Sequence, residues 1–273
     1  MDAKLFELYR DLLGTKFPDG RTVFDRIQPD DLCVAAHHIG KRFNNGLLIY
    51  GQAMNGWQNE NTISMETLLD EVSSSADDYK EMYTMVDPDG WHGIVNGKPS
   101  SYYYKRSKFW KLNYQVITKL SDPQYSNFYI SSDEKKDRIE LLDNAWSQTA
   151  AWSNLFKLSY SEGGNPDDEL IEVIRDISLR IILREIEVLR PKQVLFNTGK
   201  VLFDSVANYE RNIFGLTKET NSNNIFYSGR YEYLPKMYCK MVVCRRPDVW
   251  RLHYTNSDIV KEATEIIQSF NVL

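Results

Sequence analysis

With 273 residues, 42% hydrophobic and 26% charged, the chain can form one large domain or two small ones and has enough apolar content to bury a core. A formal charge of -5 weighs against tight nonspecific binding to duplex DNA, which draws on a basic excess. No stretch approaches the roughly 18 apolar residues of a membrane helix. Three cysteines, Cys33, Cys239 and Cys244, lack the paired spacing of a zinc or iron–sulfur site, and such a sparse count suits a reducing compartment. Met1-Asp2-Ala3-Lys4-Leu5-Phe6 has neither the basic start nor the apolar run of a signal peptide. The expectation is a cytoplasmic monomer without metal, cofactor or membrane attachment.

Residues 2–13 read as an amphipathic helix with Leu5, Leu8, Tyr9 and Leu12 on one side. Pro29-Asp30-Asp31 has the form of a helix start, predicting a second helix to about Phe43. His37 and His38 are adjacent there, cannot share a helix face, and read as structural or surface residues rather than ligands. Gly46-Leu47-Leu48-Ile49-Tyr50 is a continuous apolar run ending in Gly51 and the polar loop Gln52 to Trp57, the pattern of a buried parallel strand and a functional loop. Ser64 caps a short helix, with Glu66 close behind. Residues 75–100 are polar and irregular, an expected insertion above the sheet.

Helical spacing returns from Tyr102 to Leu120, with Phe109, Leu112, Val116 and Leu120 on the buried side. Residues 149–156 give a second strand. The strongest helix runs from about Pro166 to Leu189 and is stopped by Pro191. Gln193 to Phe196 is the third strand, closing in Asn197-Thr198-Gly199, and a helix of about ten residues follows. Residues 212–236 suit a loop with an edge strand. Met237 to Cys244 is the fourth strand, ended by Arg245-Arg246-Pro247. Asn256 or Ser257 caps a final helix. Strands alternating with helices predict one α/β domain over residues 1–273, a three-layer α/β/α arrangement around a mainly parallel four-stranded sheet.

In such sheets ligands bind beyond the carboxyl ends of the strands. Four segments qualify: Gly51 to Trp57, Asn154 to Ser159, Asn197 to Gly199, and Arg245 to Trp250. Gly51 and Gly56 do not make a dinucleotide-binding spacing. Gly51-Gln52-Ala53-Met54-Asn55-Gly56 after its apolar run resembles the first motif of the uracil-DNA glycosylase superfamily. Trp152 to Leu158 resembles that superfamily's second strand, which ends in an asparagine. Ile182 to Gly199, with Leu189 to Gly199 at its core, resembles its long helix, proline and third strand closing in glycine. The fourth strand ends where the family places a His-Pro loop. The similarity spans roughly residues 44–250 in order, with insertions.

The resemblance implies a role for each matching position. Asn154 falls where the family's asparagine pins a pyrimidine edge, a task suited to a carboxamide because it offers one donor and one acceptor. Gly51, Gln52 and Ala53 occupy the first-motif slots. Active members often carry Asp or Asn in the slot of Ala53, and Asn55 is the nearest substitute for positioning water. Trp57 is available to stack on a base, Asn197 to line the third strand's end, and Lys157 and Arg251 to meet phosphate. Arg245 or Arg246, before Pro247, takes the histidine's slot and would stabilise an anionic leaving base with a fixed charge. His253 follows within reach. Lys105-Arg106-Ser107-Lys108 is a small basic cluster, by default a solvated helix face. The implied activity is hydrolysis of the N-glycosidic bond of a damaged or deaminated base, flipped from DNA or in a single strand. The alternatives are a module that binds without cleaving, and a hydrolase of free nucleosides or nucleotides.

Overall fold

The computed structural model describes residues 2–27, 31–40, 42–52, 64–70, 94–95, 98–99, 108–121, 149–160, 165–207, 212–220, 222–247 and 255–273. Its labelled helices are α1 (Ala3–Gly14), α2 (Val23–Arg26), α3 (Lys108–Ser121), α4 (Asp168–Leu189), α5 (Lys200–Val206) and α6 (Asn256–Val272). The strands are β1 (Leu32–Val34), β2 (His38–Ile39), β3 (Leu47–Gly51), β4 (Ile94–Val95), β5 (Lys98–Pro99), β6 (Ala151–Asn154), β7 (Leu158–Tyr160), β8 (Gln193–Phe196), β9 (Thr217–Lys218), β10 (Ile225–Leu234) and β11 (Met237–Cys244). A helical stretch at 65–70 starts at Ser64, whose hydroxyl accepts from the Thr67 amide at 3.1 Å, as the sequence predicts.

Among the described residues the main sheet has seven strands in the order β2-β6-β3-β8-β11-β10-β9. Its centre, β6-β3-β8-β11, is parallel throughout. These are the four apolar runs singled out in the sequence. The margins are antiparallel, β2 against β6 on one side and β10 with β9 on the other. The β10 side is the edge strand expected within residues 212–236, whereas β2, two residues long, falls where the sequence predicts a helix.

The pleat divides the core into layers. Leu47, Ile49, Trp152, Leu195 and Val242 face α3 and α6. Leu48, Tyr50, Ala151, Val194, Phe196, Met241 and Val243 face α4 and α5. The architecture is therefore α/β, with helices on both faces of a sheet whose centre is parallel. α1 packs on α4 through Leu5, Leu8 and Leu12 against Leu170, Ile174 and Ile181. No described helix is long and apolar enough to cross a membrane.

One predicted helix is absent. Residues 32–34 form β1, paired with β7, and 38–39 form β2, paired with β6. Residues 32–38 are all buried, which leaves no polar face for a helix to turn to water. The local start signal loses to tertiary pairing: the Ala35 amide donates to the Lys157 carbonyl at 2.9 Å, and the His38 ring stacks on Trp152 at 5.3 Å. The final helix is capped by Thr255, one residue earlier than predicted, through a reciprocal capping box with Asp258.

α4 ends at Arg190 in the left-handed region, with φ 48° and ψ 50°. A side chain there costs energy that glycine avoids. Arg190→Gly is expected to raise stability by about 0.5–1 kcal/mol, read from urea unfolding midpoints.

Candidate functional site

The four parallel strands end side by side, and their last residues facing α3 and α6 form a row. Gly51 pairs with Asn154 across β3 and β6. One step beyond the Tyr50–Phe196 and Val243–Phe196 pairs, Asn197 and Cys244 continue the row across β8 and β11. In spatial order the row reads Asn154, Gly51, Asn197, Cys244. All three side chains around Gly51 are buried.

Gly51 has no space for a larger residue. A Cβ there would lie 2.8 Å from Asn154 Oδ1 and 3.4 Å from the Phe109 ring. Gly51→Ala is expected to displace the Asn154 carboxamide and lower stability by about 1–3 kcal/mol, measured by urea unfolding. Asn154 is 1% exposed, yet its Nδ2 has no hydrogen-bond partner among the described residues. A buried donor without a partner is costly, so such groups mark places where something else completes the bonding.

Backbone and side-chain bonds hold the loops together. After β6 the chain turns back onto β3, the Leu155 amide donating to the Gly51 carbonyl and the Phe156 amide to the Gln52 carbonyl, each at 2.9 Å. Gln52 Nε2 donates to the Thr198 carbonyl at 2.9 Å, and its Oε1 accepts from Arg246. The Gly199 amide donates to the Cys244 carbonyl at 3.0 Å, in a turn that needs glycine because φ is 77°. Gln52 thus ties the loop after β3 to the loops after β8 and β11. Pro247 is buried. Arg245 is half-buried, its amide donates to the Asn224 carbonyl at 2.7 Å, and its Nη2 has no partner among the described residues.

Gly51, Gln52, Asn154, Asn197 and Arg246 are therefore brought together at one end of the sheet. Arg245 and Pro247 lie beside them in the same loop. Ala53, Asn55, Trp57, Arg251 and His253, and the cluster residues Lys105, Arg106 and Ser107, lie outside the described residues.

Lys157 has a different place from the one expected of it. It is wholly buried and faces α4, on the other side of the pleat from Asn154. Its Nζ lies 2.7 Å from Glu185 Oε2 and 2.7 Å from the Ser153 hydroxyl. Tyr50 donates to the same carboxylate at 2.9 Å and Ser153 at 3.1 Å. The Tyr9 hydroxyl, bound to the Ala35 carbonyl at 2.7 Å, also approaches Glu185 at 3.3 Å, and His37 Nδ1 stands 3.7 Å away. Burial would raise the Glu185 carboxyl, but the Lys157 ammonium and His37 outweigh it and hold its pKa at about 2. Burial pulls Lys157 down against the attraction of the carboxylate. Hydroxyl donors on both carboxylate oxygens fix Glu185 as the anion and the pair as an ion pair. An ammonium held this way does not meet a phosphate in solvent.

Asn113 on α3 is the site residue the sequence reading missed. It is fully buried and accepts from Asn197 Nδ2 at 3.3 Å through its own Oδ1. The signal was an asparagine between Leu112 and Val116, one turn after Phe109, on a helix face otherwise apolar. Among the described residues no group of three or more His, Cys, Asp or Glu side chains has the arrangement of a metal site. Two grooves lie elsewhere, one of about 540 Å³ between α1 and α4 and one of about 400 Å³ at the opposite ends of the strands, beside Lys192 and Lys240.

The site's chemistry is that of directed hydrogen bonding beside a fixed positive charge. Carboxamides recognise the edge of a flat polar ring, and a guanidinium stabilises an anion without titrating. The Cys244 thiol, pushed far up by burial, is a neutral donor to Asn197 Oδ1 at 3.6 Å. No protein-family model matches the chain, and no curated protein matches its sequence.

Proposed function

We propose that this chain is a glycosylase-type protein that takes a flipped, damaged or deaminated base of DNA against the Asn154–Gly51–Asn197 row and hydrolyses its N-glycosidic bond. The observation that carries the reading is the buried, unpartnered Nδ2 of Asn154 at the end of a parallel strand, its carboxamide packed against a glycine. A carbonyl on a planar ring satisfies that donor. The resemblance of the four strand ends to the uracil-DNA glycosylase superfamily supports it further. In this reading water attacks the sugar carbon, the carbon–nitrogen bond breaks towards the base, and Arg246 stabilises the departing anion. Asn55 is the water-positioning candidate from sequence alone.

A specific observation favours binding without cleavage as the second reading. Ala53 cannot orient water, and the described groups brought to the row, carboxamides and a guanidinium, do not exchange protons at neutral pH. Incubation with single- and double-stranded DNA containing uracil, hypoxanthine or xanthine, followed by alkaline cleavage, separates the two. Weak or narrow formation of abasic sites is expected. If none form on any substrate at micromolar protein, cleavage is ruled out and binding is what remains to be measured. Binding to a short single strand across a salt series then tests for phosphate contact, since a flat response points to a free nucleotide instead.

A further inference from the structure

The hydrogen-bond chain above the row has a direction, and its open end is informative. The Cys244 thiol donates to Asn197 Oδ1, and Asn197 Nδ2 donates to Asn113 Oδ1. Turning the Asn113 amide over would set two NH₂ groups against each other. The chain therefore ends on Asn113 Nδ2, which is buried and has no partner among the described residues. Asn154 Nδ2 is in the same condition. The two asparagines flank the end of β3: Asn154 lies against Gly51, and Asn113 holds Asn197, whose amide donates to the Tyr50 carbonyl at 2.9 Å. Phe109, one turn before Asn113, touches the space above Gly51 and shows that α3 roofs this spot.

We propose that Asn113 is a second recognition amide of this site, presenting Nδ2 to a ring acceptor that Asn154 does not reach. The inference rests on the base-binding reading above and adds the requirement that the ring carry two separate acceptors. A helix residue then sets specificity together with a strand-end residue. Each donor left without its acceptor costs affinity, so removing one ring oxygen is read by one asparagine and not by the other.

The test uses the full chain and three ring probes: uracil, pyrimidin-2-one, which lacks the 4-oxygen, and pyrimidin-4-one, which lacks the 2-oxygen. Binding is followed by ligand-observed NMR titration. The unaltered protein is expected to bind each mono-oxo ring about tenfold more weakly than uracil. Asn154→Ala is expected to erase the penalty for one oxygen and Asn113→Ala the penalty for the other. Asn113→Leu, which keeps the branch at Cγ, should behave as Asn113→Ala does and guards against loss of packing. An equal weakening of all three rings in both Asn113 variants, as a merely structural or water-bridging amide would give, overturns the proposal. So does a change confined to the oxygen that Asn154 reads. In either case selectivity through Asn154 leaves the base-binding reading standing. Failure of the unaltered protein to bind any of the rings removes both.

Discussion

Glu185→Leu is expected to destabilise the protein by about 3–5 kcal/mol, because it leaves the Lys157 ammonium buried without its counter-charge. That is a large share of the roughly 5–15 kcal/mol that holds a domain folded. Lys157→Met should be costly for the converse reason. The double variant Lys157→Met/Glu185→Leu should recover more than half of the loss of either single change, since an apolar pair avoids the desolvation cost of both ions. It will not recover all of it, because the hydroxyls of Tyr50 and Ser153 lose their acceptor. Urea unfolding of the four proteins gives the coupling directly. If the single changes each cost under 1 kcal/mol, the ion pair is not what organises this layer.

The same group sets an acid limit. Its carboxyl titrates near 4.5 when free and at about 2 in the fold. The unfolded chain therefore takes up this proton first. The stabilisation from Glu185 is complete above pH 4.5 and is lost as pH falls through that value towards 2. The double variant should lack this component of the acid transition, a difference visible in unfolding midpoints between pH 5 and pH 3.

Asn154→Ala is expected to lower kcat/KM for base release by about a hundredfold while changing stability by about 1 kcal/mol or less. The argument lies in the state of its Nδ2. An asparagine that serves the fold has its donors paired, and its loss is felt in unfolding. An asparagine whose buried donor is open contributes little to the fold and is removed with small effect, while a ligand that needs it loses a directed bond and leaves an acceptor unmet. Activity on a base-containing strand and urea unfolding are measured on the same preparation. Large destabilisation with retained activity would reverse the assignment.

The parallel centre of the fold was legible because buried strands read as unbroken apolar runs, and α4 because its stripe from Leu170 to Ile182 is long and ends at a proline. Strands β1 and β2 were not: they are held by partners more than a hundred residues away, and Pro29-Asp30-Asp31 imitates a helix start. The strand-end half of the site was legible for a related reason, since Gly51, Asn154, Asn197 and Arg246 each stand where an apolar run stops. Asn113 and Glu185 were not, because each sits inside a helical pattern whose apolar neighbours dominate the signal. Lys157 read as a phosphate contact after a strand; the turn through 155–157 carries it beneath the sheet.

Ser153 and Asn154 are consecutive, and the pleat sends one to the ion pair and the other to the row. A shift of β6 by one residue would turn both to the opposite faces, taking the carboxamide out of the row and the hydroxyl away from Glu185. No misregistered form of this protein can keep the strand-end row while losing only its core. Titrating the row with a tight ring ligand should therefore count correctly folded molecules, and the fraction that binds should match the fraction that unfolds cooperatively.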